Sequence, residues 1–242
     1  RMQNRRGLFA GMQSGRLSGF VPYKGTKDLP NAGRISRFIR NFVDMKVALC
    51  QFSMEWEAAA RNLRRAEELV AQAGADLALL PEMFATGFVT EPWRTALPDE
   101  EELLAWMRRT ARRYATALAG SAVVRSGDRF ANRFFFVRPA GGAERYDKRH
   151  LFSIGGEDAH FVAGRRRVVV EYGGLRFLPL VCYDLRFPVW CRCRSDYDAI
   201  LCVASWPAPR REVWRTLLRA RAIENQCYVV GVNRTGDDPW NH

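Results

Sequence analysis

The stretch Leu175-Arg176-Phe177-Leu178-Pro179-Leu180-Val181-Cys182-Tyr183-Asp184-Leu185-Arg186-Phe187-Pro188 decides how this chain is read. Its first half is an apolar run of strand length, and it turns polar at Cys182. A cysteine where a strand gives way to a sharp turn can be presented to a substrate, with backbone N–H groups nearby to meet developing negative charge. A cysteine that only fills space sits more commonly in mid-strand. From this stretch alone both readings stay open.

Outward from it the pattern is regular. Gly173-Gly174 separates Arg167–Glu171 from Leu175–Cys182 and predicts a hairpin. Asp198–Ala204 reads as a strand, Arg211–Asn225 as a helix and Gln226–Val232 as a last apolar strand. Upstream, Lys46–Phe52 predicts a first strand, and Glu55–Ala73 a helix with Ala59, Leu63, Ala66 and Leu69/Val70 near one face, stopped by Gly74. Asp76–Leu80 is a short buried strand, and Asp99–Tyr114 a second helix turning Leu103, Leu104 and Met107 inward. Thr116–Val124 and Arg129–Val137 pair around Gly127-Asp128, and Tyr146–Gly164 falls in a loop-rich section. Helices after some strands and hairpins elsewhere predict a layered α/β structure, not a plain Rossmann alternation. With no Gly-rich phosphate loop after the first strand, nucleotide binding loses its main support.

Composition agrees with a folded domain. The 242 residues are 48% hydrophobic and 26% charged, which excludes a collagen-like or wholly disordered chain. No apolar run approaches the roughly 18 residues of a membrane span. The net charge of +12 is uneven: residues 1–44 hold nine Lys/Arg against two acidic residues, with six glycines and no sustained apolar period. That segment reads as a basic, disordered extension or a gene-start artefact, with a targeting peptide as a further reading. Nucleic-acid binding has neither a motif nor a basic stripe with stacking aromatics to support it. Of the six cysteines, Cys50, Cys202 and Cys227 lie in apolar runs, where a thiol acts as a small hydrophobe. Cys191 and Cys193 lack the second cluster that a zinc site needs. A reducing, cytoplasmic compartment is the simplest reading.

Two further segments carry chemistry. In Leu79-Leu80-Pro81-Glu82-Met83-Phe84 a carboxylate at a strand end sits among apolar residues, where it can take a thiol proton; the plainer reading is a surface glutamate opening a loop. In Glu144-Arg145-Tyr146-Asp147-Lys148-Arg149-His150-Leu151-Phe152, Lys148 can offer a compact positive charge to an oxyanion, or be one more solvated charge. His150 and His160 keep a Cys–His pair open.

The combination of Leu80-Pro81-Glu82-Met83-Phe84 with Thr86-Gly87-Phe88, Tyr146 to Phe152 with Gly156-Glu157-Asp158, Val181 to Pro188, Ala204-Ser205-Trp206-Pro207, and Arg219 to Gln226 resembles the nitrilase-like carbon–nitrogen hydrolase superfamily. The likeness runs from about Met45 to His242 and is nearest to the omega-amidase branch, which acts on 2-oxoacid amides such as 2-oxoglutaramate. The resemblance implies a four-layer αββα sandwich, homodimers formed through an outer helical layer, and no metal or organic cofactor. It makes Glu82 the general base, Lys148 the oxyanion-stabilising lysine, Cys182 the nucleophile and Glu157 an additional active-site glutamate. For a small amide substrate with a distal carboxylate, Arg186 or Arg210 can supply the counter-charge. Phe88, Phe152, Tyr183 and Trp206 are the candidates for the pocket wall, although Arg186 also reads as a structural ion-pair residue and the aromatics as core.

Family members begin near Met45 and continue past the point matching Asn233–Asp238. The expectation is therefore a hydrolase domain at 45–242 whose sandwich is incomplete at its C-terminal end. The alternatives are another nitrile, amide or carbamoyl hydrolase of the superfamily, or an inactive subunit with a binding role.

Overall fold

The computed structural model describes residues 45–95 and 99–237. The basic segment 1–44 lies outside the described residues, as do 96–98 and 238–242.

Two sheets form the centre. Strands β1 (Val47–Leu49), β2 (Leu77–Leu79), β3 (Ala117–Ser126), β4 (Arg129–Val137) and β5 (Ala143–Asp147) lie side by side in chain order. The first three are parallel, and β3, β4 and β5 follow as an antiparallel meander. In the second sheet β6 (Val170–Tyr172) pairs antiparallel with β7 (Leu175–Val181), and β8 (Ala199–Ala204) and β9 (Tyr228–Asn233) continue in parallel.

Alternation along the strands sets the layers. Leu77 and Leu79, Ala117 and Ala119, and Phe134 and Phe136 pack into the cluster shared with the second sheet. Their neighbours Ala78, Leu118, Phe135 and Val137 instead meet Ala66, Leu69 and Val70 of α1 (Ala59–Ala73) and Leu103, Leu104 and Met107 of α2 (Glu100–Tyr114). On the far side α5 (Arg211–Asn225) sets Trp214 and Leu218 against the second sheet. That close approach requires Gly231 in β9, where an added Cβ would come within 3.0 Å of both side chains. The order helix, sheet, sheet, helix is the expected four-layer αββα sandwich.

Several elements differ from the sequence reading, each for a local reason. The first helix starts at Ala59 instead of Glu55, because Glu57 adopts a left-handed φ of 59° and Asn62 holds the incoming loop by accepting from Glu55 N and donating to its carbonyl. β6 starts at Val170, three residues later than expected: Arg167 is drawn away to Asp196 and the Trp190 and Arg192 carbonyls. The section read as loop begins inside β5, an unexpected edge strand of which only Tyr146 is buried, so its sequence carries almost no apolar signal. It also contains the short helix α3 (Glu157–His160). The second helix begins as expected, with Asp99 accepting from Glu101 N at 2.8 Å as its N-cap.

Candidate active site

Two strand ends meet at one edge of the sandwich. Beyond β2 the chain runs through Leu80-Pro81 to Glu82, whose N–H points at the Ala204 carbonyl of β8, 3.4 Å away across the two sheets. Ser121 on β3 shapes the turn that follows: its hydroxyl accepts from Met83 N and its carbonyl from Phe84 N, both at 3.0 Å. Gly120 leaves room for Phe84, since a Cβ there would lie 2.9 Å from both Leu80 Cβ and Phe84 Cδ1.

β7 ends more abruptly. Cys182 has φ 45° and opens a short 3-10 turn, Cys182–Arg186. A non-glycine residue in this region costs on the order of 1–2 kcal/mol, so the surroundings must hold it there. Asp184 does so from a fully buried position. Its Oδ2 accepts from Val181 N at 3.1 Å and from the Tyr146 hydroxyl at 2.8 Å, and its Oδ1 accepts from His150 N at 2.9 Å. Trp190 Nε1 donates to the same Tyr146 oxygen at 3.0 Å. One carboxylate thus ties the cysteine turn to the segment that carries Lys148.

Glu82, Lys148 and Glu157 are fully buried, and Cys182 is 9% exposed. Lys148 Nζ donates to Glu82 Oε1 and to Glu157 Oε2, each at 2.8 Å, which leaves its third hydrogen uncommitted to either carboxylate. Glu82 Oε2 accepts from Ser205 N at 2.9 Å, and Glu157 Oε2 also accepts from Phe152 N at 2.7 Å. Burial pushes the Cys182 thiol well above its ordinary range and the Glu82 charge adds to that, while Lys148 pulls it back. Glu82 and Lys148 are thus both near enough to act on the thiol electrostatically. Burial alone would lower the Lys148 pKa, but Glu157 and Glu82 outweigh it and keep the ammonium charged. Glu157 is raised above the usual carboxylate range by burial, against the opposing pull of Lys148. The arrangement supplies a buried thiol with a carboxylate and a cation near enough to act on it.

Around this centre the candidate wall residues are assembled. The Phe88 ring faces Lys148 Nζ at 5.5 Å. Phe152 and Tyr183 meet at 5.3 Å, with the Arg210 guanidinium 5.7 Å from the Phe152 ring. Arg186 lies 5.7 Å from Tyr183 and 5.1 Å from Trp206. Among the described residues neither Arg186 nor Arg210 has a carboxylate at ion-pair distance. Trp206 does both jobs: it borders Arg186 and is 5% exposed within the core, 5.3 Å from Trp214.

The histidines are placed elsewhere. His150 Nδ1 lies 2.8 Å from Asp184 Oδ1 and the ring stacks on Phe187 at 3.7 Å, while His160 meets Trp93 edge-on at 4.2 Å. Among the described residues no hydrogen bond joins either to Cys182, and no three His, Cys, Asp or Glu side chains are grouped to hold a metal ion. All six cysteines are free thiols. A separate cleft of about 360 Å³, lined by Arg192, Cys193 and Glu224 among others, contains none of Glu82, Lys148, Glu157 and Cys182.

Residues 46–242 match the carbon-nitrogen hydrolase family. The chain belongs to that family. An omega-amidase, YafV of Yersinia enterocolitica, is 49% identical over 82% of this chain and 77% of its own length. A 2-oxoglutaramate amidase of Bacillus subtilis is 33% identical over 81% of this chain and 78% of its own. Among solved structures, XC1258 of Xanthomonas campestris, a CN-hydrolase superfamily protein with an arsenic adduct in its active site, is similar at a TM-score of 0.78 and 42% identity, covering 81% of this chain and 78% of that one. This carbon–nitrogen hydrolase is accordingly an enzyme for non-peptide amide bonds.

Sequence reading missed two residues of the site. One is Asp184, concealed as an ordinary turn residue. The other is Asn132 on β4, whose Nδ2 donates to Glu82 Oε1 at 2.8 Å and to Glu157 Oε1 at 3.0 Å. Its Oδ1 is buried without a partner, which costs about 1–3 kcal/mol. The signal was present: Asn132 interrupts the inward row Phe130, Phe134, Phe136, a polar residue where the pleat demands an apolar one.

Proposed function

We propose that this hydrolase removes the terminal amide of a small 2-oxoacid amide of the 2-oxoglutaramate type, releasing ammonia and the dicarboxylic acid through a thioester on Cys182. The meeting of Cys182, at its sharp turn, with the buried Glu82–Lys148 pair, both of which act on the thiol, supports this reading. Glu82 takes the thiol proton as the sulfur attacks the amide carbonyl. The third hydrogen of the Lys148 ammonium and the N–H of Tyr183 face the developing oxyanion, and protonated Glu82 returns its proton to the departing ammonia. Water, deprotonated by Glu82, then cleaves the thioester, giving the acid and restoring the thiol. Glu157 fixes the free direction of Lys148 by holding one of its hydrogens.

The substrate class is supported by the two relatives above and by the charge of the rim. Arg186 and Arg210 stand on Tyr183, Trp206 and Phe152 as cations without carboxylate partners among the described residues, suited to the distal carboxylate of the substrate. Phe88 completes the wall on the Lys148 side. Assembly as a homodimer is supported by Val213 and Ile223, 39% and 77% exposed on α5, and light scattering tests it. No described helix is long and apolar enough to cross a membrane, and six free thiols favour a reducing, cytoplasmic setting.

Ammonia release should be compared for 2-oxoglutaramate, glutamine, an aliphatic nitrile and an N-carbamoyl amino acid. Preference for the first, with Arg186→Met raising KM more than it lowers kcat, is the expected result. Turnover of the nitrile or carbamoyl compound without turnover of 2-oxoglutaramate removes the substrate assignment.

A further inference from the structure

Two carboxylates and one ammonium are buried together, so the cluster has more acid than base to satisfy it. The fourth participant is neutral. Asn132 Nδ2 gives one hydrogen to Glu82 and the other to Glu157, and Lys148 Nζ joins the same two carboxylates from its own side. The result is a closed ring of two acceptor groups and two donor groups.

We propose that Asn132 is a positioning residue for the reaction, holding the Glu82 carboxylate in its orientation beside Lys148 and Cys182. The inference rests on the base and nucleophile roles proposed above. Three features of the geometry support it. Glu82 Oε1 receives both Asn132 and Lys148 while Oε2 receives Ser205 N, so the carboxylate cannot rotate without giving up donors. Both hydrogens of Nδ2 are engaged, which fixes the amide orientation. The carbonyl of the same residue accepts from Lys148 N at 2.9 Å, so one residue sets the height of base and cation together. Every hydrogen bond its side chain makes goes to the two site carboxylates, and its Oδ1 has no partner among the described residues, so the amide serves the cluster and not the surrounding core. A neutral amide is the group that adds donors to paired carboxylates without adding a charge.

The test is Asn132→Leu in the full chain, with kcat, KM and the pH profile of kcat/KM measured on whichever amide the parent turns over best. The charged and titratable groups facing Glu82 are Lys148, Glu157 and Cys182, and none is altered. A carboxylate that loses a donor takes up a proton more readily, so the acidic limb should move to higher pH. The expected fall in kcat is roughly 10- to 100-fold with KM nearly unchanged, because both Nδ2 hydrogens are already engaged by Glu82 and Glu157. Asn132→Ser, which keeps one shorter donor, should fall between parent and leucine variant. A profile superimposable on the parent, with activity reduced only in proportion to the folded fraction, overturns the proposal. So does failure of both variants to fold, since the residue would then serve the core. If Glu82→Gln in the parent leaves kcat intact, the base assignment fails instead, independently of Asn132.

Discussion

Replacing Lys148 by methionine isolates the charge at the centre of the site, because the side chains are similar in length and the position is fully buried. In the parent, one ammonium lies 2.8 Å from a carboxylate oxygen of Glu82 and 2.8 Å from one of Glu157. Breaking a buried pair by removing one partner costs about 3–5 kcal/mol, since the remaining charge stays desolvated. The two contacts share one cation, so their losses do not add, and that range is the estimate for the site. For a domain of this size it corresponds to a fall in Tm of roughly 10 °C. The sign with pH follows from the same geometry. Without the ammonium, the main opposition is lost to the burial that already makes Glu157 hold its proton more tightly in the folded protein. Folded-state pKa values raised in this way favour the fold below the ordinary carboxylate range and disfavour it as pH rises through them. The variant's deficit relative to the parent should therefore be largest at pH 7.5 and shrink toward pH 5. Urea unfolding of both proteins across that range measures it. Equal stability at pH 7.5, or a deficit that grows on acidification, would refute a cation holding two ionised glutamates. Amidase turnover of the variant should fall by about 10²–10³-fold if the same ammonium also meets the oxyanion.

Other outcomes follow from single contacts. Cys182→Ala should lower ammonia release by at least about 10³-fold while leaving the unfolding midpoint within a few tenths of a kcal/mol of the parent, since little buried volume is removed. Burial raises Glu157 above the usual carboxylate range, so the parent loses stability as pH rises through that raised value; in Glu157→Gln this loss is absent, and the variant's stability relative to the parent should improve from pH 4.5 to 7 in urea titrations. Gly120→Ala forces a methyl against Leu80 and Phe84 at the turn carrying Glu82, with an expected cost of about 1–3 kcal/mol by thermal unfolding and a reduced kcat.

Much of this was legible in the sequence because the elements that build the core are strongly patterned. The helix Arg211–Asn225 and the hairpin at Gly127-Asp128 agree with their apolar period and turn residues. Cys182, Glu82 and Lys148 stood out only in combination, through likeness to a family; each alone was as consistent with a core thiol or a solvated charge. What stayed hidden was of two kinds. β5 is an edge strand with one buried side chain, so hydrophobic periodicity could not reveal it. Asn132 and Asp184 act through contacts with residues 25–50 and 34–38 positions away, and local patterning carries no record of such partners.

The crossing between Glu82 and Ala204 has a kinetic corollary. Glu82, Asn132 and Lys148 belong to the first sheet, whereas Cys182 and Ser205 belong to the second. Neither half holds Cys182, Glu82 and Lys148 together. During refolding, hydrolytic competence must therefore arrive with the docking of the two halves, after secondary structure has formed, and a chain in which only one half has condensed is chemically silent.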